Sequence, residues 1–359
     1  MKKVLCTILT LTLVFALAGC SGNNTPADSG SSAPADSGSS APADSGQTAS
    51  GEPQYVLKVG HDEATDGSYH YLCTYFADQV KEKTNGQVQI DVYPQSQLGS
   101  ELELAEGLRI GTIDFAVGSV GNLTPLIPEG GLLGVPYIIE SQEHLNKLID
   151  PDGTFIKALS DKITSKNIGI VLLGLPTNGV RSIYNDVRPI YTPDDLKGLK
   201  IRVMTSDIQM KAFSAMGASP TAIAFNELYS AMQHKVVDGA ENSPLLLWSM
   251  KHYECAKYLS LTEHMIATGL FMMSERTYEN LPADLRDIVI EAAHEAVAKE
   301  LEFDLEATDD ALEKLKEWGV QVNEVDKQPF IDLTAHLHQE VAEQYDCMDL
   351  LEIIQKEAE

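Results

Sequence analysis

The same order of segments occurs twice in this chain, and that repetition narrows the possible architecture more than any single motif. Tyr55-Val-Leu-Lys-Val-Gly alternates as a strand does, residues 69–83 carry apolar side chains at helical spacing, and Asn85-Gly86 supplies a helix stop. Alternation resumes at 88–93, residues 102–110 read as a helix ending at Gly111, and 113–117 read as a buried strand. After Leu199 the order returns as strand 200–204, helix 208–216, a short extended stretch 220–224, helix 227–234 and strand 236–240. The match reaches single residues. Glu103 precedes Asp114 by eleven positions, as Glu227 precedes Asp238, and Leu104, Leu108 and Ile113 are answered by Leu228, Met232 and Val237. Since β-α-β-α-β is the unit of a parallel open sheet, the expected fold class is α/β with two similar lobes. A ligand is expected in the crevice at the carboxyl ends of their strands.

Beyond the second unit, 259–274 is expected to cross back between the lobes and form a hinge. Residues 281–318 are strongly helical and acidic, Val320-Gln-Val gives one more short strand, and 329–358 read as one amphipathic helix or a pair clasping the outside of both lobes. This organisation assigns 54–178 with 268–307 to a first lobe and 179–267 with 308–359 to a second, a clamshell like that of periplasmic binding proteins.

The segment before residue 54 has a different character. Lys2 and Lys3 precede an apolar run, Val4 to Ala18, that is too short to span a bilayer well and reads as an export signal over 1–19. Leu17-Ala18-Gly19-Cys20 resembles a bacterial lipobox, which implies acylation of Cys20; the other reading is an ordinary cleaved signal with an incidental cysteine. Residues 20–53 repeat Pro-Ala-Asp-Ser-Gly from Pro26, Pro34 and Pro42, a composition that builds no core and suits a flexible tether. Of the five cysteines, Cys6 would leave with the signal. Cys73, Cys255 and Cys347 are then an odd, widely spaced set that forms no disulfide framework and suggests no metal site or cofactor. A formal charge of -27 disfavours nucleic acid and anionic membrane surfaces as partners.

Several motifs in order then carry a family resemblance: Asp195-Leu-Lys-Gly-Leu-Lys-Ile-Arg-Val, Gly217-Ala-Ser-Pro, Glu227-Leu-Tyr-Ser-Ala-Met-Gln and Val237-Asp-Gly-Ala-Glu-Asn. Lys83-Thr-Asn-Gly, Tyr93-Pro-Gln-Ser-Gln-Leu-Gly, Val135-Pro-Tyr and the stretch from Tyr278 to Asp284-Leu flank them. Together they resemble the solute-binding proteins of TRAP (tripartite ATP-independent periplasmic) transporters over essentially all of the chain after the tether. The resemblance implies a protein that closes on a small organic acid, a sugar acid such as a hexuronate or else a dicarboxylate or keto acid. It would hand the ligand to a small and a large integral-membrane subunit driven by an ion gradient.

It also implies that Arg202 pairs with the ligand carboxylate. Read alone, Arg202 between Ile201 and Val203 could be a charge on a solvated strand face. Arg181, in Asn178-Gly-Val-Arg, falls on a second arginine of the pattern once a one-residue insertion before Arg188 is allowed. Asn242 is expected after a strand, contacting ligand through an amide that both donates and accepts, or else capping the turn at Ser243-Pro244. Phe225 matches an aromatic that packs ligand, and is equally suited to the core. From the first lobe, His61 and the segment Gly118-Ser119 stand at strand ends, and Thr205 is a further polar candidate around the arginine pair. Sialic acid binders carry an acidic residue where this chain has Gly118, which argues against that ligand. Glu101 suits ligand hydroxyls, or simply the start of a helix.

An enzyme is the rival of another class. The chain has no His-Glu-x-x-His, nucleophile elbow, phosphate loop or dinucleotide fingerprint, and His336 and His338, two apart on a helical pattern, are expected in solvent rather than on one face. A sensor lipoprotein with the same clamshell is the third possibility.

Overall fold

The alternating segment 55–60 forms strand β1 (Tyr55–Gly60), with Leu57 and Val59 turned into the core. The computed structural model describes residues 52–358, so the expected signal, Cys20 and most of the tether lie outside the described residues. Helix Ser68–Lys83 follows, burying Tyr69, Leu72, Cys73, Phe76 and Val80 at helical spacing. It stops where Asn85 takes a φ of 51°; the amides of Asn85 and Gly86 then turn back to the carbonyls of Glu82 and Lys81, closing the last turn in a Schellman arrangement. Strand β2 is Val88–Tyr93. Helix Glu101–Ile110 starts from a capping box between Ser100 and Glu103 and ends on Gly111 at φ 71°. It leads into β3, Phe115–Ser119.

Strands β4 (Ile170–Gly174) and β5 (Thr177–Asn185) carry the chain out of the first lobe. The second unit is β6 (Lys200–Val203), helix Asp207–Ala215, β7 (Ser219–Ala222), helix Leu228–Gln233 and β8 (Gly239–Asn242). In the first unit β1 lies parallel between β2 and β3, and in the second β6 lies parallel between β7 and β8. The shared aspartate has the same duty in both: Asp114 Oδ2 accepts from the backbone amide of Lys58 at 2.9 Å, and Asp238 Oδ2 from that of Lys200 at 2.8 Å. That duty corrects two boundaries. The strands expected at 113–117 and 236–240 begin later, because Ile113-Asp114 and Val237-Asp238 are the turns that bring each carboxylate to its neighbouring strand. Ser119 and Asn242 are therefore strand-terminal residues.

The expected crossing segment is one strand, β9 (Tyr258–Ser274), of 17 residues. Its far half pairs antiparallel with β3 and β4, and its near half lies between β5 and β10 (Gln321–Glu324). The ten strands among the described residues thus form one sheet, whose main path is β2-β1-β3-β9-β5-β8-β6-β7. The β5–β9 ladder slips register between Thr177 and Val180 and again between Arg181 and Ile183. Gly179 at φ 81° and Glu263 at φ 41° mark the two strands where they bend.

The helix Ala283–Trp318 runs 36 residues without a break, about 54 Å at the usual rise, from the first-lobe helix Ser68–Lys83 to the second-lobe helix Pro244–Ser249. The lobe boundaries expected at 178, 267 and 307 fall inside β5, β9 and this helix. The C-terminal segment is three helices, Gln328–Thr334, His336–Gln344 and Met348–Glu357, rather than one or two, with turns at Ala335 and Asp346 interrupting the apolar pattern. His338 is not in solvent: half-buried, its Nε2 donates to the Pro136 carbonyl at 2.9 Å.

Candidate functional site

The carboxyl ends of β1, β3, β6 and β8 converge on a narrow cavity between the lobes. The first lobe contributes Asp62, Glu63, Ser119 and Asn122; the second contributes Arg202, Met204, Phe225, Asn242 and Leu246; the crossing strand β5 contributes Asn178 and Arg181. Asp62, Asn122 and Phe225 also line an outer chamber that Glu101 and Thr205 share. The lobes meet around this opening, where the Thr205 amide donates to Asn122 Oδ1 at 2.9 Å and the Thr124 and Ser206 hydroxyls lie 3.5 Å apart.

Arg202 is fully buried. Its Nε donates to the Ile223 carbonyl at 2.8 Å and its guanidinium carbon sits 5.7 Å from the centre of the Phe225 ring. Nη1 and Nη2 have no protein acceptor among the described residues. The strand places the guanidinium inward because Ile201 and Val203 take the other face, and the loop after β7 fixes it by its edge and ring. Burying a cation with two unsatisfied parallel donors is costly, and a carboxylate is the group whose geometry answers both.

Arg181 is buried as well but already paired. Its Nε and Nη2 meet Glu241 Oε2 and Oε1 at 2.6 and 2.7 Å, Nη2 also reaches the Glu241 carbonyl at 2.8 Å, and Nη1 donates to Asn242 Oδ1 at 2.6 Å. Burial alone would raise the Glu241 carboxyl; the Arg181 guanidinium, with His264 at 3.3 Å, overrides it and holds the pKa down at about 2. The second arginine of the sequence pattern therefore lines the cavity with its donors occupied. It fixes the Asn242 amide: Oδ1 also accepts from the Ser243 amide at 3.0 Å, so Nδ2 is the end of Asn242 left to donate into the cavity.

The remaining expected residues divide. Ser119 lines the cavity, and its amide and hydroxyl both donate to Glu101 Oε1, at 2.7 and 2.9 Å. Asn122 donates to the other Glu101 oxygen, so Glu101 organises the end of β3 rather than offering open acceptors. Phe225 belongs at once to the second-lobe apolar cluster and to the cavity wall, which joins the two roles the sequence left open. Thr205 lies at the outer chamber and acts through its backbone. His61 is not among the residues lining either chamber. Its Nε2 sits 3.1 Å from His70 Nδ1, and burial together with His70 pulls its pKa down to about 3, a neutral ring packed into the first lobe. The two residues after it, Asp62 and Glu63, reach the cavity instead.

Those carboxyls went unnoticed in the sequence, although they directly follow a strand whose end was expected at the crevice. Asp62 is 4 % exposed, and no side chain among the described residues donates to it. Burial first, then Glu101 and Glu63, raise its pKa; burial pushes Glu63 up to about 8 although the Tyr69 amide donates to it at 2.9 Å. Behind Glu63, the long helix buries two more acids. Glu300 accepts from the Thr177 amide at 3.0 Å, and Asp304, which burial raises to about 6, accepts from the Ser68 hydroxyl at 2.5 Å. Asn122 escaped notice because it rides on a single helical turn, Val120–Leu123, with no periodic signal.

Two lobes of parallel strands, two crossing strands and a buried cationic site between them define a binding protein that closes around its ligand. Residues 59–344 match the model of bacterial extracellular solute-binding protein, family 7, and the chain belongs to that family, the DctP family of TRAP solute-binding proteins. It is 35 % identical over 251 residues to a solute-binding protein of Chromohalobacter salexigens, covering 70 % of this chain and 74 % of the relative. It is 30 % identical over 277 residues to the 2,3-diketo-L-gulonate-binding periplasmic protein YiaO of Escherichia coli, covering 77 % and 83 %. In structure it is similar to a TRAP periplasmic solute binding protein from Sulfitobacter sp. NAS-14.1 with bound β-D-galacturonate. The TM-score is 0.79 at 31 % identity, covering 84 % of this chain and 99 % of that one. Family members act outside the cytoplasm as binding components of transporters and serve TRAP membrane subunits.

Proposed function

We propose that this protein captures a sugar acid, seats its carboxylate on Arg202, and delivers it to the small and large membrane subunits of a TRAP transporter. One observation carries the reading: a fully buried guanidinium, whose two terminal N–H-bearing nitrogens have no protein acceptor among the described residues, lines the cavity between the lobes. A carboxylate there forms a bidentate pair, each charge-assisted bond contributing about 1.5–3 kcal/mol once water is excluded. Asn242 Nδ2 is the neighbouring donor, Phe225 gives an apolar wall for a carbon skeleton, and Ser119 with Thr205 borders the polar side. Arg181 acts through Asn242 rather than on the ligand. The ligands of these two relatives, 2,3-diketo-L-gulonate and galacturonate, are sugar acids, which supports that class for this chain. An acyl group on Cys20 and the tether to residue 53 would hold the binding body at the outer face of the membrane, within reach of the transporter.

The test is a thermal-shift screen against uronates, aldonates, keto acids, dicarboxylates and neutral sugars, followed by calorimetry. A ligand at 100 times its dissociation constant stabilises the fold by about 2.7 kcal/mol. A sugar-acid response that disappears in Arg202→Ala supports the reading; stabilisation by neutral sugars alone overturns it.

A further inference from the structure

The cavity is electrically lopsided. Arg202 stands on the second-lobe wall as the cation whose terminal donors are open, since Arg181 is neutralised by Glu241 within the same wall. Three carboxyls gather on the first-lobe side: Asp62 and Glu63 line the cavity, and Glu101 lies behind Ser119 and Asn122. The donors that would welcome an anion there are already taken. The Ser119 amide and hydroxyl and the Asn122 amide all point to Glu101, and the Tyr69 amide points to Glu63. Glu63 Oε1 and Asn178 Oδ1 are acceptors without a partner among the described residues, and Asp62 is the carboxyl that borders both chambers.

We propose that Asp62 determines specificity: it accepts from hydroxyls at the end of the ligand remote from Arg202, so that the site takes a polyhydroxy acid with one carboxylate and rejects dicarboxylates. A hydroxyl can donate to this wall of acceptors, whereas a second carboxylate adds a further acid to three carboxyls already crowded in a low-dielectric space, where it must take up a proton or meet a like charge. Burial raises the pKa of Asp62, Glu63 and Glu101, and at Asp62 the neighbouring Glu101 and Glu63 add to it. The inference rests on Arg202 as the carboxylate anchor and narrows the ligand class that follows from it.

The test pairs open-chain acids that differ in one terminal group: D-gluconate with D-glucarate, and D-erythronate with meso-tartrate. D-Glucuronate, D-galacturonate and succinate complete the panel, with calorimetry on the wild-type protein and on Asp62→Asn. The wild type should bind the best monocarboxylate at least about 100-fold more tightly than any dicarboxylate, an effect of the size like-charge contacts produce. In Asp62→Asn that ratio should shrink by about tenfold or more, chiefly because dicarboxylates bind better. A wild-type dicarboxylate affinity within tenfold of the monocarboxylate overturns the inference without aid from the variant, and leaves the Arg202 anchor standing. An unchanged ratio in a folded Asp62→Asn protein also overturns it. Failure of every acid to bind the wild type removes the anchor reading and this inference together.

Discussion

Removing the carboxylate of Glu241 should unsettle the fold from inside. Arg181 and Glu241 are 2 % and 0 % exposed in their side chains, and Glu241 receives three of the four hydrogen bonds that Arg181 makes. Glu241→Ala leaves a guanidinium in the interior beside a second one, Arg202, with only the Glu241 carbonyl and Asn242 to answer it. Breaking a buried pair on one side costs about 3–5 kcal/mol. The carboxyl itself gives a similar figure, since its fall from an ordinary 4.5 to about 2 corresponds to about 3 kcal/mol. A depressed acid contributes that stability above pH 4.5 and loses it as pH falls toward 2, so the cost of Glu241→Ala should shrink in acid. Urea unfolding at pH 7 and pH 4 measures it. The double substitution Arg181→Met with Glu241→Met should recover most of the loss, because two apolar chains leave no charge behind. A loss below about 1 kcal/mol in Glu241→Ala, or a double variant no better than the single, would refute the reasoning.

Other outcomes follow from the same interior. Glu63 and Asp304 are raised to about 8 and about 6, so the folded state holds protons that the unfolded chain has already released. Stability should therefore fall as pH rises from about 4 through 8, and Glu63→Gln should flatten the upper part of that slope; a melting temperature that climbs from pH 5 to 8 contradicts this. Gly239→Ala would set its Cβ 2.1 Å from the Tyr184 carbonyl oxygen and 2.5 Å from Asn185 Cβ, forcing β8 away from β5. It should cost about 1–3 kcal/mol in urea unfolding and weaken ligand binding through Asn242; wild-type values for both would show that the strands give way freely. Cys20→Ala should move the protein from the membrane fraction into the soluble extracytoplasmic fraction, as immunoblotting of fractionated cells would show, and unchanged membrane retention would argue against an acyl anchor at that residue.

How far the sequence foretold all this depends on the range of the interaction. The doubled unit was readable because helix periodicity, Asn-Gly and Gly stops and strand alternation are local, and even the Asp114 and Asp238 correspondence shows as a spacing. Arg202 was readable through its motif. The role of Arg181 was not, because antiparallel pairing of β5 with β8 brings it to a glutamate 60 residues away, and nothing near either residue announces the partner. Glu241 stands one position before Asn242 in a motif valued for its amide. His61 failed by one residue: the chain past β1 turns Asp62 and Glu63 to the cavity and His61 to His70. The unbroken β9 and the three-helix C-terminus depended on which residues the opposite lobe covers, which local patterning does not encode.

A crystal structure of the protein with a bound sugar acid tests the capture mechanism most directly. The ligand carboxylate should lie about 2.7–2.9 Å from both Arg202 Nη1 and Nη2, with Arg181 still paired to Glu241. A carboxylate seated on Arg181 with Glu241 displaced, or a neutral ligand group facing Arg202, would contradict it.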